Sequence, residues 1–374
     1  MRLTAPQRVG LRPAGMTLFA ILTAVLLASA AKAGEAPDII KFENRVIRGV
    51  VTEETYEYVA YTSGVVNGKM KQCEVTGIDW GDRSADFIAA ETARSREEYS
   101  DAIDRYERAL KSPLGRRFYV EPYCNYYIGT CYQYLGKYDE AEKYLSKVVR
   151  DYPKAKFFPY AQMGLGEMAM DQGQYDKAIE SFSVVGKASN PDTGKSPFCD
   201  EIAFIARINM TDAMVGKKAY DQALTELASL IPEAERTFPD LSLSARRLKA
   251  ETLVLKKQVD EGLKEYRDIL GRAVKEMDGG NADKEKRLTV VAAQCYNGLG
   301  DAYLANGANR YKEALMEYLR VATVMGRSVQ NEYPRALMGA AKCFDGLGQK
   351  DREKELVAEL KRDYADYPGV KALK

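Results

Sequence analysis

The 374-residue sequence contains no histidine. That absence removes Ser-His and Cys-His nucleophilic pairs, His-ligated zinc and imidazole acid–base chemistry, while carboxylates, lysines and tyrosines remain available. The six cysteines include no C-x-x-C pair, so neither a redox motif nor a zinc knuckle is present. Charge of one sign is not in excess either: 55 Lys+Arg face 54 Asp+Glu, and nothing in that balance asks for nucleic acid. No apolar run reaches the roughly 20 residues of a membrane span.

The aromatics are abundant, with 25 tyrosines, and they are spaced. An aromatic–x–x–small step recurs at Tyr99/Ala102, Tyr138/Ala141, Tyr175/Ala178, Tyr220/Ala223, Val259/Gly262 and Tyr311/Ala314, with a degenerate copy at Lys350/Glu353. The best-formed unit joins Gly129, Tyr132, Leu135, Gly136, Tyr138, Ala141, Leu145 and Val148 and ends at Pro153. This is the pattern of two amphipathic helices with a tight turn, in which small residues let the backbones approach and aromatics fill the rest. The residues expected to pack this way are Tyr99, Ala102, Gly129, Tyr132, Tyr138, Ala141, Gly166, Tyr175, Ala178, Tyr220, Ala223, Gly300, Tyr303, Tyr311 and Ala314. Gly129 and Ala141 are expected at the closest approach of their two helices.

From Leu135 through Ala141 to Pro153 the chain resembles the tetratricopeptide repeat. The resemblance covers residues 83–374 and implies a mainly α protein, a right-handed α-solenoid of about seven helix pairs. Its spacing exceeds the family's roughly 34 residues, so inserted loops are expected near residues 186–200 and 271–287, where turn formers and polar residues cluster. Lys350 and Glu353 give the last unit a polar outer face, as a terminal cap requires.

Residues 34–82 have another texture. Alternation, β-branched and aromatic residues from Ile39 to Trp80, and an Asn67-Gly68 hairpin signal, predict three or four antiparallel strands in a small meander of SH3-like pattern leaning on the first helices. Ahead of it, Arg2, Arg8 and Arg12, the apolar run Met16–Leu27 and the small residues Ala31 and Ala33 read as a signal peptide over residues 1–33. Its removal takes four positive charges, leaving 51 Lys+Arg against 54 Asp+Glu. The expected mature chain starts at Gly34 and is periplasmic or extracellular, with no membrane span. No cysteine lies near the cut to carry lipid.

Several strings imitate motifs. Gly164, Gly166 and Ala169 spell a dinucleotide fingerprint, but no strand precedes them. Gly194-Lys195-Ser196 ends like a phosphate loop but lacks the leading glycine. Asn209 to Thr211 is a glycosylation sequon on a helix. Asp79, Asp82 and Asp86 lack the ligand alternation of a calcium loop and are expected to cap the first helix. Cys124 and Cys131 share a helix about 10 Å apart, too far for a disulfide, and Cys131 and Cys343 occupy small buried positions.

No catalytic, cofactor or metal site emerges. On successive first helices Tyr123, Tyr126 and Thr130, then Tyr160, Met163 and Glu167, share one spacing and are expected on the same concave side, a surface of adaptable residues for binding a partner. Tetratricopeptide proteins act as docking scaffolds, so the resemblance implies binding of other proteins or peptides. Export adds a likeness to the family's components of bacterial envelope machinery, and hence an envelope or outer-membrane assembly role. The alternatives are a glycan-cleaving envelope enzyme on an α-solenoid, for which the chain has no spare domain, and an array built by homo-oligomerisation through repeat ends.

Overall fold

The computed structural model describes residues 36–43, 45–113, 117–188, 196–277, 282–307, 310–329, 331–365, 367 and 369–373. The expected signal peptide and its cleavage point lie outside these residues, as do Gly194 and Lys195 of the phosphate-loop look-alike. The chain divides into two compact units, one ending at Ala213 and one beginning at Met214.

The first unit opens with five strands: β1 (Asp38–Phe42), β2 (Arg45–Glu54), β3 (Tyr58–Ser63), β4 (Val66–Lys71) and β5 (Val75–Asp79). All pairings are antiparallel, in the order β4-β3-β2-β1-β5, so the last strand returns to lie beside the first. The hairpin turn is not at Asn67-Gly68. Those residues sit inside β4, opposite Thr62 and Tyr61, and the two-residue turn is Gly64-Val65, where Gly64 has φ +62°. Gly68 serves another purpose: the Tyr61 ring lies across it, and a Cβ there would fall 2.2 Å from that ring. The buried face of the sheet, Ile40, Val51 and Val59, joins one core with Trp80, Phe87, Ala90, Ile103 and Tyr106.

Fourteen α-helices follow among the described residues. The first unit holds α1 (Ala85–Ser95), α2 (Tyr99–Lys111), α3 (Val120–Tyr134), α4 (Tyr138–Asp151), α5 (Phe158–Asp171) and α6 (Tyr175–Gly186). Next come α7 (Asp200–Gly216), α8 (Tyr220–Thr237), α9 (Pro239–Leu255), α10 (Val259–Met277) and α11 (Ala282–Ala305). The chain ends with α12 (Tyr311–Leu319), α13 (Glu332–Gly346) and α14 (Lys350–Asp363). They pack as consecutive antiparallel partners, α1 on α2, α3 on α4 and α5 on α6 in the first unit, and α9 on α10, α11 on α12 and α13 on α14 in the second.

Every residue that opens the recurring aromatic–x–x–small step is the first residue of a second helix: Tyr99, Tyr138, Tyr175, Tyr220, Val259, Tyr311 and Lys350. The small residue one turn on is fully buried at Ala102, Ala141, Ala178, Ala223 and Ala314. Two residues before the second helix the backbone is left-handed at Glu97, Gly136, Gly173, Lys218, Lys257 and Gly348. The next amide then reaches back along the first helix, as in Lys137 N–H to the Tyr132 carbonyl (2.9 Å) and Gln258 N–H to the Leu253 carbonyl (2.9 Å). One Schellman turn, used six times, thus caps the first helix and aims the second.

The close-approach glycines behave as expected in kind, with different partners. A Cβ on Gly129 would meet Leu145 Cδ2 at 2.8 Å, one turn beyond Ala141, because side chains in the second helix lean back toward its N-terminus. Gly166 faces Phe182, and Gly300 and Gly339 both lie against the ring of Tyr318. The wide interval before Tyr311 is filled mostly by helix: α10 and α11 run to 19 and 24 residues. In α14 only Leu360 is buried, leaving a polar outer face on the last helix pair.

The motif look-alikes resolve as structure. Gly164, Gly166 and Ala169 lie within α5, and Asn209 and Thr211 are buried in α7. Ser84 caps α1, its hydroxyl accepting Phe87 N–H at 3.2 Å. Asp82, expected there, instead accepts from Arg117 Nη1 at 2.5 Å and joins the α2–α3 connection to the sheet.

Candidate functional site

In the first unit α3 and α5 lie side by side, and their outward residues form a strip with two ends. At one end Tyr126 stacks on Phe157 (centroids 4.5 Å, 14° between planes) and meets Tyr160 edge-on at 6.3 Å. At the other, Gln133 Nε2 donates to Glu167 Oε2 at 3.3 Å. Asp171, one turn further along α5, accepts from the Tyr138 hydroxyl at 2.7 Å.

The spacing that selects these residues also explains their placement. Tyr123, Tyr126 and Thr130 follow i, i+3, i+7 on α3, with Gln133 one turn beyond Thr130, and Tyr160, Met163 and Glu167 repeat that rhythm on α5. Pro159, in the first turn of α5, starts that helix where its missing N–H costs nothing, and so fixes Phe157 and Tyr160 at its mouth. The six residues are not equivalent. Tyr160 is 39 % exposed, whereas Met163 is 5 % exposed and packs inward. The Thr130 hydroxyl donates to the Tyr127 carbonyl of its own helix at 3.0 Å. Tyr123 turns from the strip toward the sheet: its ring meets Phe157 at 4.5 Å and Trp80 at 6.0 Å, and its hydroxyl donates to Glu54 Oε1 at 3.3 Å.

Tyr123 therefore belongs to a separate cavity of about 320 Å³ between the end of β2, the start of α3 and the α4–α5 connection. Tyr119, Pro122, Tyr123 and Phe157 form its apolar wall. Its charges answer each other: Glu54, nearly fully buried, pairs with Lys156 Nζ at 3.2 Å. The sheet is locked to this connection by an antiparallel bridge between Thr55 and Ala155 and by Tyr56 N–H donating to the Lys154 carbonyl at 3.3 Å. A helical periodicity carries no trace of that long-range contact, which is why spacing alone puts Tyr123 on the strip. Gln133 and Phe157, by contrast, are legible in principle, the first from its place on the face of Tyr126, the second from its position ahead of Pro159.

Burial sets the protonation of the strip. It pushes Glu167 up to about 8, Asp171 adding to the shift and the Gln133 amide opposing it, so the carboxyl is protonated at neutral pH. Tyr160 is pushed up to about 12 by burial and then by Cys199, and burial raises Tyr126 well above its ordinary value. The strip is thus an aromatic floor edged by the Gln133 amide and the Glu167 carboxyl, with Asp171 held by the Tyr138 hydroxyl beyond them; among the described residues there is no group of acidic or sulfur ligands fit for a metal.

The tetratricopeptide repeat family model matches residues 126–192, the segment that carries the strip. Residues 126–192 are tetratricopeptide repeat. Solved structures extend the likeness in fold to most of the chain. A tetratricopeptide repeat protein from Parabacteroides merdae is 13% identical, with a TM-score of 0.55 over 77% of this chain and 95% of that one. The apo form of the quorum sensor NprR from B. thuringiensis is 14% identical, with a TM-score of 0.55 over 74% of each chain. Aspartyl phosphate phosphatase F from Bacillus subtilis is 13% identical, with a TM-score of 0.52 over 77% and 70%. No curated protein matches the sequence. Among the described residues no helix is long and apolar enough to cross a membrane.

Proposed function

We propose that this tetratricopeptide-fold chain is a non-enzymatic docking scaffold, and that the α3–α5 strip holds an extended segment of a partner protein. The reading is carried by Tyr126 and Tyr160 meeting at 6.3 Å across neighbouring helices, in line with the Gln133–Glu167 pair. An extended peptide offers both complements: side chains for the aromatic floor, and carbonyls for a protonated carboxyl and an amide to donate to. NprR, named a quorum sensor, and the Rap protein solved with Competence and Sporulation Factor share the fold with this chain, which is compatible with a ligand-holding role. Arg2, Arg8, Arg12, the apolar run Met16–Leu27 and Ala31/Ala33 support export to the periplasm, and with it a place among envelope assemblies.

The test is a pull-down from native envelope extract, with the bait's N-terminus sequenced in the same preparation. Tyr160→Ala combined with Glu167→Gln is expected to weaken the main partner at least tenfold, about 1.4 kcal/mol, with no fall in melting temperature. Undiminished binding by the double variant would move the site off this strip.

A further inference from the structure

Four of the six cysteines, Cys124, Cys131, Cys295 and Cys343, are fully buried. The other two, Cys73 and Cys199, are far apart in sequence yet in contact. Cys73 is exposed on the 3-10 turn Gln72–Glu74 that follows β4, Cys199 is half-buried at the residue before α7, and their thiols hydrogen-bond to each other. Their neighbours are held in place. Gln72 N–H donates to the Glu57 carbonyl at 2.9 Å, and the adjacent Tyr56 ring lies 4.8 Å from the ring of Phe198. Phe158 closes the cluster, 6.0 Å from Tyr56 and 6.2 Å from Phe198. The aromatic cluster thus holds the chain segments beside the two cysteines against each other, the arrangement a disulfide between them needs.

We propose that Cys73 and Cys199 are a redox pair that closes to a disulfide, taking a disulfide compound such as glutathione disulfide as its oxidant. Cys73, the exposed member, loses its proton to solvent, and its thiolate attacks one sulfur of the oxidant, expelling one glutathione thiolate. Cys199 then loses its proton and attacks the Cys73 sulfur, expelling the second. Two protons and two electrons pass to glutathione disulfide, which leaves as two glutathiones. The order follows from the environment: burial, then the neighbouring Cys73, push the Cys199 thiol up to about 12, and capping Cys73 removes the second of these causes. Among the described residues no third acidic or sulfur ligand joins the pair to make a metal site.

The bond would tie the sheet to the start of α7 beside Tyr160, whose hydroxyl already responds to Cys199. Closing so long a loop restricts the unfolded chain, so oxidation should stabilise the first unit.

The experiment equilibrates the full chain in glutathione redox buffers, alkylates it natively and then after denaturation, and maps the peptides. The expected product has lost two hydrogens, shows one Cys73–Cys199 cross-linked peptide, retains no glutathione, and melts at least about 3 °C higher than the reduced form. Cys73→Ser and Cys199→Ser should each abolish the rise, and Cys199→Ser should leave Cys73 as a glutathione adduct. A wild-type protein that keeps glutathione on Cys73 with Cys199 free, or that cross-links other cysteines, overturns the proposal.

Discussion

The two units share one helix-pair plan and fill one of its equivalent positions with opposite chemistry. Twelve residues before the start of the second helix, the first unit has Tyr126 (before Tyr138) and the second has Arg247 (before Val259). Tyr126 leans on Phe157 and Tyr160. Arg247, 1 % exposed, donates to Glu251 at 2.7 Å, while its neighbour Arg246 pairs with Glu265. On α11 and α13 of the second unit, Asn297 Nδ2 donates to Glu332 Oε2 at 2.9 Å. Aromatic rings left half open retain area to give a partner; buried ions are already matched to each other. The plan fixes where helices meet, and the residue at the shared position decides whether that place is free for binding.

The largest way to break this contrast is to remove half of the buried pair. Glu251→Ala removes a carboxylate partner of the buried Arg247 guanidinium and is predicted to cost about 3–5 kcal/mol in urea unfolding. Replacing both residues together, with Arg247→Met and Glu251→Leu, should be close to neutral; a double variant as unstable as the single one would mean that the pair is not the unit of stability.

A smaller effect separates the units by the sign of their pH response. Glu167 in the first unit has its folded-state value raised from 4.5 to about 8, so the folded form holds its proton longer than the unfolded one and stability falls as pH rises through that window. In the second unit burial opposes the ionised form of Glu251, but the Arg247 charge wins and holds it below the ordinary carboxylate value, so its contribution is present above 4.5 and lost as pH falls. Glu167→Gln is expected to flatten the slope between pH 4.5 and 8 by on the order of 2 kcal/mol, discounted for solvent screening. An unchanged slope in melts across that window would show that Glu167 is ionised in the folded chain.

The smallest test uses what the units have in common. The left-handed turn residue is glycine at Gly136, Gly173 and Gly348 but carries a side chain at Glu97, Lys218 and Lys257. Lys257→Gly should stabilise by about 0.5–1 kcal/mol, and Gly136→Ala should destabilise by a similar amount, as read from thermal midpoints. Equal and opposite shifts would establish that the turns are interchangeable parts.

These turns also mark how far the sequence could be read. The aromatic–x–x–small step locates the start of every second helix because it is a local pattern set by local packing, even where Lys350 replaces the aromatic. The helix-pair fold is legible for the same reason. What escapes is contact between segments far apart in sequence. Asn67-Gly68 looks like a turn, but Gly68 answers to the cross-strand Tyr61 ring; Gly129 meets Leu145 rather than Ala141; and Tyr123 is drawn from the strip by Glu54, a residue of the sheet. Met163 has the right spacing and the wrong depth, because a period of 3.6 assigns a side and not a burial.

The bridge from Thr55 to Ala155 has a further consequence. In a stack where each pair touches only its neighbours, unfolding can start at an exposed end and peel inward one pair at a time. Here the sheet that precedes α1 holds the connection between α4 and α5, so its contacts skip over two whole pairs. The N-terminal end therefore cannot fray singly: loosening α1 and α2 while the bridge holds leaves a closed loop, and releasing the bridge exposes the Trp80–Tyr123–Phe157 cluster as well. That end of the chain is therefore expected to melt as one cooperative block, whereas α14, in which only Leu360 is buried, is held by contacts to its immediate neighbours such as Tyr333–Glu359 and Arg327–Asp363.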